Sequence, residues 1–152
     1  MTRSAEIRAR LARPWRHGEH ADFRGITCDG PLDLSGIPLA GADFTGARFP
    51  DGIDARDARF DGLAWFGDAE FGGPARFDGA AFMNDARFER AVFVAPAVFA
   101  RAEFRGIGRF DDGRFEDGAD LSGTICYGNF SLQGVRVRRL LSLRDGEWLG
   151  GL

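Results

Sequence analysis

Large apolar side chains recur along this chain at intervals of five and six residues. From position 44 onward, the spacing between successive phenylalanines alternates between five and six wherever no step is skipped. Alanine usually stands two residues before the phenylalanine, and polar or glycine residues follow it. Residues two apart in a β-strand point to the same face. The pattern therefore predicts very short strands with alanine and phenylalanine inward. The predicted core phenylalanines are Phe44, Phe49, Phe60, Phe66, Phe71, Phe77, Phe82, Phe88, Phe93, Phe99, Phe104, Phe110 and Phe115.

The same register extends to both sides of this series and gives 22 units between Ala21 and Leu140, of which 13 have alanine two residues before the centre. A single unit cannot bury a phenylalanine, so the units must coil and stack. Four alternating units take 22 residues, and Pro74 and Pro96 occupy equivalent positions one such coil apart. The sequence therefore predicts an all-β solenoid with four short strands in each coil.

Several units have the form Ala-Asp-Phe-Thr-Gly (42–46) or Ala-Asp-Leu-Ser-Gly (119–123). These units resemble the pentapeptide-repeat family, and the resemblance extends over residues 21–140. It implies a right-handed, quadrilateral β-helix. The chain departs from the family pattern because every second unit carries a sixth residue, which we expect to enlarge two opposite corners of each coil.

Both ends of a solenoid need covering, because an exposed core and unpaired strand edges favour polymerisation. We predict that residues 1–20 form an N-terminal helical cap and linker, with Ser4 as the N-cap of a helix over Ala5–Arg13. Ile7 and Leu11 lie one helical turn apart and should cover the first coil.

The C-terminal segment, residues 141–152, is too apolar to remain in water. We expect it to cap the last coil, to form a homodimer interface, or to do both, with capping favoured. The residues expected in these contacts are Leu140, Leu141, Leu143, Trp148 and Leu149.

Two groups of outward positions are candidate interaction surfaces. Trp65, Arg87 and Arg109 follow one another at intervals of 22 residues, and a tryptophan beside arginines is typical of interface anchors. The alternative, which we favour, is that Trp65 lies flat with Arg87 stacked on it. The second group is Val92, Val94 and Val98, whose simpler interpretation is surface valine with good strand propensity.

Composition limits the classes of partner. The formal net charge is −3, so no strong field is available to attract nucleic acid or lipid. No apolar run is long enough to span a bilayer, and the N-terminus lacks the apolar region of a secretory signal. We therefore expect a cytoplasmic protein that binds neither membrane nor nucleic acid directly.

The sequence predicts no enzymatic activity and no cofactor. Nucleophile-elbow, phosphate-loop and dinucleotide motifs are absent from the sequence. His17, His20 and Cys28 are three candidate metal ligands, but no fourth ligand has a matching spacing. The favoured interpretation is that the two histidines lie in a solvated linker. Cys126 occupies a core position and should be an inert buried thiol.

Three hypotheses of function follow. The first is a protein-interaction or scaffold module with an unidentified protein partner, since a solenoid offers a rigid surface without a deep pocket. The second is implied by the resemblance: mimicry of DNA by a protein that binds DNA gyrase or another type II topoisomerase and protects it from inhibitors or toxins. Residues 21–140 carry 19 acids but also 14 interleaved arginines, which argues against a phosphate-like field. The third is an enzyme, and a fragment of a longer repeat protein with no independent role is a further alternative.

Overall fold

The computed structural model describes residues 2–14, 16 and 18–152, and within these residues the chain winds into four main parallel sheets, which we call faces 1 to 4 in the order in which the chain visits them. Face 1 consists of His20–Asp22, Gly41–Asp43, Ala64–Trp65, Ala86–Arg87, Gly108–Arg109 and Phe130–Ser131. Face 2 consists of Arg48–Phe49, Glu70–Phe71, Val92–Phe93, Arg114–Phe115 and Arg136–Val137, and a bridge from Thr27 to Arg48 joins Cys28–Asp29 to its end. Face 3 consists of Leu32–Asp33, Ile53–Asp54, Ala75–Arg76, Ala97–Val98, Ala119–Asp120 and Leu141–Ser142. Face 4 consists of Pro38–Leu39, Arg59–Phe60, Ala81–Phe82, Glu103–Phe104, Ile125–Cys126 and Glu147–Trp148. The predicted four-sided β-helix is confirmed.

Two kinds of corner alternate around each coil. After faces 1 and 3 the chain makes a tight turn: the Ala69 N–H donates to the Phe66 carbonyl over 3.1 Å, and Asp68 between them has a φ of 57°. After faces 2 and 4 the additional residue lengthens the turn, as at Gly52 with φ 84°. The position of the strand relative to the inward phenylalanine shifts accordingly. On face 1 the strand Ala64–Trp65 ends just before Phe66, whereas on face 2 the strand Glu70–Phe71 includes the phenylalanine.

The core is a set of four stacked columns of apolar side chains. Every phenylalanine of the predicted series is at most 1% exposed. Within one column, the Phe71 and Phe93 rings lie 4.7 Å apart with an interplanar angle of 2°. Between columns the rings meet edge to face, as do Phe77 and Phe88 at 5.5 Å and 84°. Stacking and edge contacts of this kind add to the free energy of burial, so the solenoid has a rigid aromatic interior.

A helix, Ser4–Ala12, covers the first coil. Ile7 and Leu11 are fully buried, and the Leu11 carbonyl accepts a hydrogen bond from the Ala40 N–H over 3.0 Å. The predicted N-cap is wrong by one residue. Arg3 is the N-cap, and it makes no side-chain capping hydrogen bond. Thr2–Arg3 pairs as a parallel strand with Cys28–Asp29, which holds Arg3 in the extended conformation of an N-cap, and Ser4 follows it as the first helical residue.

The strand ladders continue beyond Leu140, where the sequence pattern places the end of the repeats. Leu141 pairs with Ala119, and Trp148 pairs with Cys126, in the register of the preceding coils. The Trp148 ring lies 4.6 Å from the ring of Phe130. Residues 141–149 thus form two further sides of the solenoid.

Candidate interaction surfaces

Trp65 is half-buried on face 1, between Asp43 and Arg87 in the strand ladder. The guanidinium carbon of Arg87 lies 4.7 Å from the centroid of the Trp65 ring, a cation–π contact. Arg109 follows Arg87 in the same ladder and lies 3.6 Å from the Asp111 carboxylate. The structure therefore brings Trp65, Arg87 and Arg109 together, and Arg87 occupies one face of the indole.

The three valines predicted as a second surface lie on and around the corner between faces 2 and 3. Val94, in the turn, is 46% exposed, whereas Val92 on face 2 and Val98 on face 3 are half-buried. The Val94 N–H donates to the Phe71 carbonyl over 2.9 Å, which fixes the backbone of the corner. These valines form one continuous apolar corner.

Leu141, Leu143 and Trp148 pack against the core, whereas Leu140 and Leu149 are 71% and 62% exposed. The five C-terminal residues expected to act together are thus divided between the last coil and the sides of the solenoid. Their part in an end-to-end homodimer stays a prediction.

A third apolar surface, which the sequence analysis missed, lies at the corner after face 4. Met83 and Tyr127 are 39% and 44% exposed there, and Leu149 continues their line. Arg105 stands between Met83 and Tyr127, at the same position of the intervening coil, and its guanidinium carbon lies 5.0 Å from the centroid of the Tyr127 ring. We call Met83, Arg105, Tyr127 and Leu149 the Tyr127 row. Each residue of the Tyr127 row directly follows an inward residue, and the four are 22 residues apart in the sequence. Comparing such positions from coil to coil would have revealed the row.

The backbone holds the Tyr127 row rigidly. The N–H of each of its residues donates to the carbonyl of the inward residue one coil earlier: Met83 to Phe60, Arg105 to Phe82, Tyr127 to Phe104 and Leu149 to Cys126, at 2.8–3.0 Å. The side chains therefore project from a preformed frame. An interface that uses them loses little conformational entropy in ordering the backbone.

Ion pairs are distributed over all four faces. Most join an arginine to a carboxylate two residues away in the same unit, such as Arg56 to Asp54 and Arg59 to Asp61, both at 2.7 Å. Arg90 instead reaches Asp68 of the preceding coil, at 2.8 Å. This intermixing breaks up the negative charge, so these faces carry no uninterrupted acidic surface of the kind that mimics a phosphate backbone.

The ion pairs affect the titration of several carboxyl groups. Hydrogen bonds from the Arg24 side chain and backbone lower the pKa of Asp22 to about 2. Hydrogen bonds from Arg56 likewise lower the pKa of Asp54. Burial raises the pKa of the Cys28 and Cys126 thiols, which favours the neutral thiol over the thiolate.

Concave sites on the described surface are open depressions. One, of about 390 Å³, lies beside Trp65 between Glu19 and Asp85, and another, of about 430 Å³, lies on face 3 between Pro96 and Leu140. Among the described residues, no group of three or more His, Cys, Asp or Glu side chains is arranged to hold a metal ion, and His17 lies outside those residues. No helix in the described ranges is long and apolar enough to cross a membrane.

The spacing of the units and the four-sided coil agree with a comparison of the chain with known families. A family model described as pentapeptide repeats (9 copies) matches residues 23–70 and 58–99, which together cover half of the chain. The chain belongs to the pentapeptide-repeat family. The β-solenoid of this family is typically non-catalytic. No curated protein matches the chain. The pentapeptide-repeat geometry continues past the matched residues as far as Trp148.

Proposed function

We propose that this pentapeptide-repeat protein is a non-enzymatic interaction module that binds a partner protein through the Tyr127 row. The observation that carries the proposal is that three of the exposed large apolar side chains, Met83, Tyr127 and Leu149, lie in one line on a rigid frame. Aromatic and methionine side chains are enriched at interfaces, where tyrosine combines apolar area with a polar tip.

The row also suggests the chemistry of the partner. Met83 and Tyr127 stand two coils apart, which is about 10 Å at the usual strand spacing. Between them Arg105 is paired with Glu103 at 2.7 Å, so the centre of the row is charged but locally balanced. Half-buried Ile125 and Ala81 widen the apolar surface on the face 4 side. A partner with two apolar anchor side chains about 10 Å apart fits this surface.

Gyrase binding by DNA mimicry is the competing function. Its requirement is a long negative surface, and the arginines paired with carboxylates on each face weigh against it. Inhibition of gyrase supercoiling by the purified protein at micromolar concentration would favour mimicry over the function proposed here.

The test is affinity capture from a lysate of the source organism with three baits: the wild-type protein, Tyr127→Arg and Trp65→Ser. We expect a specific protein to be enriched by the wild type and by Trp65→Ser, and to be recovered at least about tenfold less by Tyr127→Arg, as for a hot-spot residue. Retention by Tyr127→Arg together with loss by Trp65→Ser would place the contact on face 1 instead. Enrichment of no protein by any bait would contradict the interaction function.

A further inference from the structure

The corner between faces 2 and 3 contains a band without charged side chains. Residues 91–100 (AVFVAPAVFA) include no polar side chain, and below them in the preceding coil lie Gly72, Gly73 and Pro74. Val94 is exposed, and Pro74 and Pro96 are exposed as well. Proline has no backbone N–H and little conformational freedom, so the band is both apolar and stiff.

The charges on the two sides of this band have opposite signs. On the N-terminal side, face 2 and its corner carry three acids and one arginine: Asp29, Asp51, Glu70 and Arg48. On the C-terminal side they carry four arginines and two acids: Arg114, Arg136, Arg138, Arg139, Glu116 and Asp117. Face 2 with its corner is therefore dipolar along the solenoid axis, with the apolar band in the middle.

The strand register places the two signs symmetrically about one residue. Val92 pairs with Glu70 on one side and with Arg114 on the other, so the two charged residues are each one strand spacing from Val92. Consider a second copy turned by 180° about an axis that lies in the plane of contact and follows the Val92 strand. That rotation reverses the solenoid axis and brings Glu70 of one copy opposite Arg114 of the other. A surface with this property is complementary to itself.

We propose that this corner binds a second copy of the chain side by side and antiparallel, with the two-fold axis passing over Val92 and Val94. In a two-fold dimer the same patch is used on both subunits. The valines of the two copies pack together at the centre, Glu70 of each copy faces Arg114 of the other, and the acidic end of each face 2 lies against the basic end of its counterpart. The surface differs from the Tyr127 row, which lies on the opposite side of the solenoid.

The dimer should be weak. Stable complexes commonly bury about 800 Å² per partner. With Cys28–Asp29 counted at its end, face 2 spans five strand spacings and is only about 24 Å high. Arg114 also contacts Glu116 of its own chain at 2.8 Å. In the dimer its charge would therefore be shared between Glu116 and Glu70 of the second copy. We expect a dissociation constant of about 10–300 µM, increased by salt because the charge pairs at the rim are exposed.

The test is sedimentation equilibrium from about 1 to about 500 µM, a range that brackets the expected dissociation constant. The samples are the wild type, Val94→Arg and the control Tyr127→Arg, each first shown to be folded by circular dichroism. The mass of the wild type and of Tyr127→Arg should rise with concentration from 16.6 kDa toward twice that value. Val94→Arg should remain a monomer. A wild type that stays monomeric at the highest concentration would overturn the proposal, as would dimerisation of Val94→Arg with the wild-type dissociation constant.

Charge reversal tests the antiparallel arrangement itself. Glu70→Arg and Arg114→Glu should each weaken self-association at least about tenfold, because each places like charges opposite one another. An equimolar mixture of the two variants should dimerise again. In the mixed dimer, the copy with Glu70→Arg has arginine at both positions, and the copy with Arg114→Glu has glutamate at both. Each of the two contacts therefore joins an arginine to a glutamate. Failure of the mixture to recover association would exclude the antiparallel register.

Discussion

The guanidinium of Arg87 covers the Trp65 ring from the next strand of face 1, 4.7 Å from the ring centroid. This contact fixes one face of the indole against the solenoid surface. A cation–π pair at a partly exposed site contributes about 0.5–1 kcal/mol. Arg87→Ala should therefore lower the free energy of unfolding by that amount in a urea titration. Arg48→Ala, at an exposed arginine on face 2, is the control and should change it by less than about 0.3 kcal/mol.

The Phe71, Phe93 and Phe115 column should dominate stability. Phe93 lies between the other two rings, at 4.7 and 4.6 Å, and is fully buried. Phe93→Ala should cost about 3–5 kcal/mol and reduce the cooperativity of melting, because both stacking contacts and core volume are lost. Phe93→Leu, which keeps most of the volume, should cost clearly less. An unchanged melt of Phe93→Ala would contradict the stacked core.

Arg101 occupies a turn position that favours glycine. Its φ is 58°, and the residues at the same position of the coils before and after it are Gly79 and Gly123, at 70° and 67°. Because the left-handed conformation is costly for residues with a Cβ, Arg101→Gly should raise the free energy of unfolding by about 0.5–1 kcal/mol. Ala100→Gly in the same turn, where φ is not positive, should lower it by a similar amount. If both variants raised the free energy of unfolding, or both lowered it, this account of the turn would be contradicted.

Asp22 should titrate well below a normal aspartate. Its pKa is lowered from 3.8 to about 2 by hydrogen bonds from Arg24. Because the folded-state pKa is depressed, the stabilisation from this pair is complete above pH 3.8 and is lost as the pH falls through about 2. NMR titration of the Asp22 carboxyl carbon should show this midpoint. Arg24→Gln should return it toward 3.8, and a wild-type midpoint near 3.8 would show that the pair does not form in solution.

The sequence predicted the repeat and the four-sided coil because each unit repeats one local requirement, a large apolar residue two positions after a small one. It did not show that the strand on face 1 is Ala64–Trp65 whereas that on face 2 is Glu70–Phe71, because the five- and six-residue spacings give the length of each corner but not which of its residues takes φ > 0. Glycine marks some of those corners, but Arg90 and Arg101 occupy others without any compositional signal.

The surface was less predictable than the core. The sequence indicated Trp65 before an inward phenylalanine and Val94 after another, but it gave no sign that Met83 and Tyr127, each directly after an inward residue, line up at one corner. The repeats were predicted to end at Leu140, because the apolar residues that follow, including Leu143 and Trp148, were interpreted as a cap or dimer contact rather than as further inward positions. The strand ladder nevertheless continues to Trp148, since any large apolar side chain can complete the column.

Site-specific photocrosslinking tests the interaction function most directly. A benzophenone amino acid would be incorporated at Tyr127, at Trp65 or at Arg48, and the protein would be irradiated in cells of the source organism. We predict one discrete crosslinked product with a different protein from position 127. Position 48, which lies in the proposed self-association patch, should give no product with a different protein. Crosslinking from position 65 alone, or from none of the three positions, would contradict the assignment of partner binding to the Tyr127 row.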